Sequence, residues 1–320
     1  MPIRTTLLTR LRNVGVGLLA AATLFSCEQY QEPINVVGNS WLGYQPFYVQ
    51  NILHPELTPE QLNVTMLVSD VSVVRMLTNQ AASVAFLSLD NALSLNSRTD
   101  LNFCIAAVLS SSYGADAVLA HPDVYSKINS DEALVIGMED SALSRFMLSR
   151  WLELHAIDPQ RVQRQIVTPA GQLRAFQSKQ FDAVIAYAPY TKQLEQAGAV
   201  TVFSSREIKD EIIDTVIVRQ KVWQPYQHVL KNYVTKNWDQ ALQAIANNHS
   251  EDFNTLAQLA ELSKLELTNA LADLQLYNSK ASREFLATRY AQVSATVASH
   301  LVDSGLHTSV KALPVCEGML

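Results

Sequence analysis

Cysteine is scarce in this 320-residue chain, with only Cys27, Cys104 and Cys316 present. No C-x-x-C occurs, and no Cys/His cluster has metal-ligand spacing, so a zinc ribbon or a thioredoxin-type redox motif is excluded. The seven histidines are scattered: His54 and His121 each precede proline, and His249, His300 and His307 lie in the last quarter. None forms H-E-x-x-H, no G-x-x-x-x-G-K-[ST] loop is present, and no G-x-S-x-G elbow surrounds any serine. A basic face is also missing. Lys and Arg total 24 against 30 Asp and Glu, a net charge of -6, which argues against a nucleic-acid partner. Residues 14–25 form an uncharged run, but it falls short of the roughly 20 residues a spanning helix needs.

What is present begins with that run. Arg4, Arg10 and Arg12 precede it, and small and polar residues lead from it to Cys27. This is the layout of an export signal over residues 1–26. Leu24-Phe25-Ser26-Cys27 looks like a bacterial lipobox, in which the chain is cut before Cys27 and that cysteine is acylated. The alternative is a plain secretory signal with a coincidental cysteine. Gly15 to Ala20 matches G-x-G-x-x-A, but only a basic leader precedes it. A dinucleotide site requires a preceding strand, so that reading is rejected. Export would permit a disulfide between Cys104 and Cys316, although sequence alone does not place their Cα atoms. Cys104 lies in the apolar run Phe103-Cys104-Ile105-Ala106-Ala107-Val108 and reads as a buried apolar residue.

After a polar linker (residues 27–33), strand-like apolar runs alternate with helix-like segments. Strands are expected at residues 34–37, 64–68, 84–87, 103–109, 117–120, 134–137, 161–167, 181–187, 200–203 and 212–218. Asp70 is expected to cap a helix whose Val73, Val74 and Leu77 fall at helical spacing. A second helix, near residues 141–155, lines up Leu143, Phe146, Met147, Trp151 and Leu154. From Trp223 onward the composition is helical. Such alternation implies an α/β fold with parallel sheets covered on both faces, here in two series.

Between residues 34 and about 306 the chain resembles the substrate-binding proteins of nitrate/sulfonate/taurine and thiamine-pyrimidine-precursor ABC importers. The resemblance is carried in order by Asn39-Ser40-Trp41-Leu42-Gly43-Tyr44-Gln45-Pro46-Phe47-Tyr48, by residues 77–92, and by Ser111-Ser112-Tyr113-Gly114-Ala115-Asp116-Ala117. It continues through Val135-Ile136-Gly137-Met138-Glu139-Asp140-Ser141, residues 181–190, and Ile213-Asp214-Thr215-Val216-Ile217-Val218. It implies a two-lobed type II periplasmic-binding-protein fold with two strand crossovers and a helical C-terminal region. Residues 34–116 and 216–320 would form lobe one, and residues 117–215 lobe two. The sequence departs from the family at Ala188, where Glu is frequent, and at Gln80, where Gly is usual.

The resemblance further implies a solute site between the lobes, an ABC permease as docking partner, attachment to a membrane through lipid on Cys27, and a periplasmic or cell-surface monomer without cofactor or catalysis. Enzymes and ligand sensors on the same fold are the alternatives. The expected ligand-binding residues are Asn39, Trp41, Tyr44, Ser88, Ser111, Ser112, Tyr113, Asp140, Ser141, Tyr187 and Asp214. Trp41, Tyr44, Tyr113 and Tyr187 stand in loops at strand ends, the edge where open α/β sheets bind ligands, and Trp41 is expected off the core. Free N–H groups in the first helical turn after Ser141 would suit an anion. An ordinary N-cap by Asp140 or Ser141 is the alternative. Asp116 and Asp182 are read as turn caps. The ligand is expected to be a small nitrogen- or sulfur-containing solute, a pyrimidine precursor or a sulfonate or nitrate.

Overall fold

The computed structural model describes residues 33–320. The expected signal, the linker up to residue 32, and Cys27 lie outside them. The described chain opens with β1 (Ile34–Gly38), α1 (Gln45–Leu53), β2 (Leu62–Met66), α2 (Asp70–Thr78), β3 (Val84–Ser88), α3 (Leu89–Arg98) and β4 (Phe103–Ser112). It crosses at residues 113–115 into β5 (Asp116–Ala120), α4 (Tyr125–Ile128), β6 (Leu134–Met138), α5 (Ala142–Leu154), β7 (Val162–Ile166), α6 (Pro169–Gln177), β8 (Ala183–Tyr187), α7 (Tyr190–Gln196) and β9 (Val200–Ser204). It returns through residues 205–212 to β10 (Ile213–Arg219). There follow α8 (Gln220–Asn232), α9 (Trp238–Ile245), α10 (Glu251–Leu259), α11 (Lys264–Leu271), β11 (Leu274–Leu276), α12 (Ser279–Thr288) and α13 (Tyr290–Asp303).

Two mixed sheets form two lobes. The first has the order β11-β4-β10-β3-β1-β2 and the second β7-β6-β8-β5-β9. The pairs β1–β2, β1–β3, β6–β7 and β6–β8 are parallel. The crossing strands β5 and β10 run antiparallel to their neighbours. Strand side chains alternate between faces, and in the first sheet both faces are apolar. Val36 and Phe86 pack into one core, while Val37, Ala85 and Leu87 pack into the other. That is why these strands read as continuous apolar runs.

The two connections between the lobes are tied together. Ser112 N donates to Ile212 O at 3.1 Å, Gly114 N to Ser205 Oγ at 2.6 Å, and the Ser112 and Ser205 hydroxyls lie 2.8 Å apart. Gly114 has φ +115°, in the left-handed region, a turn that glycine makes without Cβ strain. Gln80 also has positive φ, 61°, at the position where the resembled family usually has glycine.

The structure answers three points that the sequence raised. Cys104 is buried, but it is also disulfide-bonded to Cys316, which pins the tail to β4. Ser69, not Asp70, caps α2 by accepting from Ser72 N, and Asp70 is the first helical residue. The C-terminal region is almost wholly helical, as expected, with one short strand, β11, that pairs with β4 and extends the first sheet.

Candidate functional site

Asn39 follows the last residue of β1. Its Nδ2 donates to Asp70 Oδ1 at 2.8 Å and to the Tyr187 hydroxyl at 3.3 Å, while its Oδ1 accepts from Trp41 N at 2.9 Å. Asp70 Oδ2 accepts from Asn91 Nδ2 at 2.9 Å. Across the same edge, Asp214 of β10 accepts from the Tyr44 hydroxyl at 2.9 Å and from Ser110 Oγ at 2.6 Å. Gly43 makes this packing possible, since a Cβ there would lie 2.4 Å from Trp41 Nε1 and 2.6 Å from Ser110 Oγ. These groups enclose a narrow cleft with a free volume of about 10 Å³, lined by Asn39, Trp41, Tyr44, Asp70, Ser88, Asp116, Leu143 and Asp214; the lobes must part to admit a solute. Three of those residues are aspartates, and none is Lys, Arg or His.

Burial dominates the electrostatics. It lifts the Asp70 carboxyl well above the usual carboxylate range, reinforced by Glu139, Asp90 and Asp214. It does the same to Asp116, against the opposing Ser112 hydroxyl. Asp90 is pushed up to about 7 and Asp214 to about 6, in both cases by burial and against partial relief from hydrogen bonds. Asp116 Oδ2, in a side chain only 2% exposed, has no hydrogen-bond partner among the described residues. Trp41 Nε1 faces Asp214 without completing a hydrogen bond.

The lobes meet across the cleft through reciprocal helix capping. Glu139, just after β6 of the second sheet, accepts from Val71 N in the first turn of α2 at 2.9 Å. Asn91, in α3 beside the first sheet, accepts from Ala142 N at the start of α5 at 3.0 Å. Each lobe thus supplies an acceptor to an otherwise unpaired N–H of a helix on the other. Leu42 N donates to Ala188 O at 3.1 Å, and the Ser40 and Tyr190 hydroxyls lie 2.9 Å apart. At the rim, Lys192 pairs with Asp273 at 3.0 Å and Arg289 with Asp210 at 2.7 Å.

Of the expected ligand residues, the structure brings Asn39, Trp41, Tyr44, Ser88 and Asp214 onto the cleft, with Tyr187 joined to it through Asn39. Trp41 and Tyr44 are buried in the first lobe's core, contrary to the expectation that Trp41 lies off the core. Ser141 caps α5 by accepting from Ser144 N at 3.2 Å. With Ala142 N given to Asn91, these two first-turn donors of the expected anion cradle are already taken. Ser111 lies on the opposite face of β4, 3.4 Å from the Tyr277 hydroxyl, and Ser112 belongs to the hinge. Tyr113 is 42% exposed under the Arg206 guanidinium, and Asp140 pairs with Arg145 on the surface.

Sequence reasoning missed Asp70, Asp90, Asn91, Ser110 and Glu139, and it read Asp116 as structural. The signal was available for Asp70, which follows a strand just as Asn39 does. For Ser110 no sequence signal was available, since its place beside Asp214 comes from the register of β4 against β10.

The NMT1-like family matches residues 104–261. No curated protein sequence matches the chain. The fold superposes on the ligand-binding component of an ABC-type import system from Staphylococcus aureus, crystallised with zinc bound, at TM-score 0.70 and 11% identity, covering 87% of this chain and 94% of that one. The Candida albicans CA3427 gene product, described as having the generic periplasmic binding protein fold, gives 0.66 at 13% identity over 88% and 92%. The alkanesulfonate-binding protein SsuA from Xanthomonas axonopodis pv. citri, bound to MOPS, gives 0.64 at 14% over 83% and 98%. The described chain therefore has the two-lobed α/β fold of the type II periplasmic binding proteins.

Proposed function

We propose that this chain is the extracytoplasmic solute-binding component of an ABC importer, held to a membrane by lipid on Cys27 and acting without catalysis. The observation that carries this reading is the buried polar and aromatic cleft between two lobes joined by two short, mutually hydrogen-bonded connections. A solute entering between the lobes exchanges water for those groups, the lobes close about residues 113–115 and 205–212, and the closed form docks on a permease. The import-system name of the Staphylococcus aureus protein and the sulfonate bound by the Xanthomonas protein support the same reading. Among the described residues no helix is long and apolar enough to cross a membrane, so on this reading attachment falls to the acylated cysteine. The solute is a small nitrogen- or sulfur-containing molecule; the resemblance offers a nitrogen heterocycle such as a pyrimidine precursor, or a sulfonate- or nitrate-like anion, and the chemistry of the cleft lining decides between them.

The test is to equilibrate the mature protein with an extract of its own cells, wash it, denature it, and identify the released small molecules by mass spectrometry. One solute should appear, unchanged on prolonged incubation, at no more than one equivalent per chain. Conversion of that solute to a product would overturn the binding-protein reading.

A further inference from the structure

We propose that the cleft selects a small organic cation over sulfonates, nitrate and metal ions; this rests on reading the cleft as the solute site. The lining chemistry carries the argument. Asp70, Asp116 and Asp214 face the cleft, Asp90 and Glu139 stand close enough to Asp70 to act on it electrostatically, and no basic side chain lines the space. A buried carboxylate without a partner is costly, yet Asp116 Oδ2 is buried, unpaired and on the cleft wall. Trp41 Nε1, an N–H donor on the same wall, faces Asp214, which leaves the acceptor on Asp116 as the unsatisfied group of the cleft. An incoming N–H donor with positive charge satisfies Asp116 Oδ2 directly, and Trp41 and Tyr44 put aromatic rings in the same wall, a surface that favours a cation.

Anions meet the opposite situation. The N-terminus of α5, the place an anion would be held, has its Ala142 and Ser144 N–H groups committed to Asn91 and Ser141, and Glu139 is buried beside it. Bare metal ions are also poorly served. Among the described residues no three His, Cys, Asp or Glu side chains converge to hold one, and Asp70 and Asp214 already accept two hydrogen bonds each. The raised carboxyls fit the same picture, because a cation that enters would restore their ionised form and release protons to solvent.

Thermal shift of the mature protein at pH 7.5 tests this with three arms. The first holds benzamidine, 4-aminopyridine and agmatine, the second benzenesulfonate, ethanesulfonate and nitrate, and the third zinc chloride. The cation arm alone should raise Tm. The best cation, titrated by calorimetry, should bind at least tenfold more weakly at pH 5.5 than at pH 7.5, with protons released on binding. Asp116→Asn should cost at least tenfold in affinity, and Asp214→Asn provides a second variant if the first fails to fold by circular dichroism. Stabilisation by the anions or by zinc alone would overturn the cation class and leave solute capture standing. No response in any arm would count against the cleft as a solute site at all. Full cation affinity in both folded variants would also overturn the proposal.

Discussion

Trp41 is 4% exposed, meets Tyr187 edge-on at 5.9 Å between ring centroids, and belongs to the first lobe's core as well as to the cleft wall. Trp41→Ala should therefore do more than weaken solute binding: it should cost about 3–5 kcal/mol of stability by denaturant titration. Trp41→Phe keeps an aromatic ring in the wall, so it should retain more of the binding and show a much smaller stability change. Equal stability losses in the two variants would contradict this division. The buried carboxyls make a pH prediction of unusual sign. Asp90 sits at about 7 in the folded protein against roughly 3.9 for an unfolded aspartate. Between those values the folded state binds more protons, so this group's contribution to stability is full below about pH 4 and is lost as pH rises through 7. The Tm of wild type relative to Asp90→Asn should accordingly fall between pH 5 and pH 8 in the absence of solute. A constant difference would remove Asp90 from the account.

At the scale of elements, the crossed caps between α2, α5 and their opposing lobes hold the closed arrangement. Removing either acceptor leaves a helix N–H to water and removes one bond between the lobes. Glu139→Ala and Asn91→Ala should each increase the radius of gyration of the ligand-free protein in small-angle scattering, with the double variant largest. Unchanged scattering in the double variant would show that closure is held elsewhere. Much of this framework was legible beforehand. The inner strands of both sheets announced themselves as short apolar runs because both their faces are buried, whereas the edge strands β2 and β7 are partly exposed and polar; Asn39, Tyr44 and Asp214 could be placed because strand ends gather at one edge. Other features were hidden for physical reasons. The three residues of β11 carry no periodicity and lie between helices, so only their pairing with β4 reveals a strand. Asp70 looked like a helix cap because Asp at a helix start satisfies that pattern, whether or not its carboxylate turns into a cleft. Ser110 and Ser111 point to opposite faces of β4, and a register shift of one residue exchanges them. Cys316 was the one candidate partner for Cys104 beyond Cys27, but it lies 212 residues away, and no local signal brings the two together.

For the whole molecule, attachment and capture are separable. Cys27→Ala should yield a soluble exported form or an uncleaved precursor in membrane fractionation. Stable anchoring by acyl groups takes more than one chain, so the wild-type protein should resist high-salt extraction and yield to detergent. Membrane retention of the variant equal to wild type would contradict the lipid anchor.

The bond between Cys104 and Cys316 closes a covalent ring. Cys104 precedes the first passage between the lobes, and Cys316 follows the last helix, so both passages and every strand of the second sheet belong to the ring. The second lobe is in effect a bead strung on a closed loop. A protease that nicks it once cuts the ring open without dividing the molecule. Such a nicked protein would run as one species on a gel without reductant and as two with it, and its two halves of the first sheet would stay linked at β4 while the cleft itself was breached.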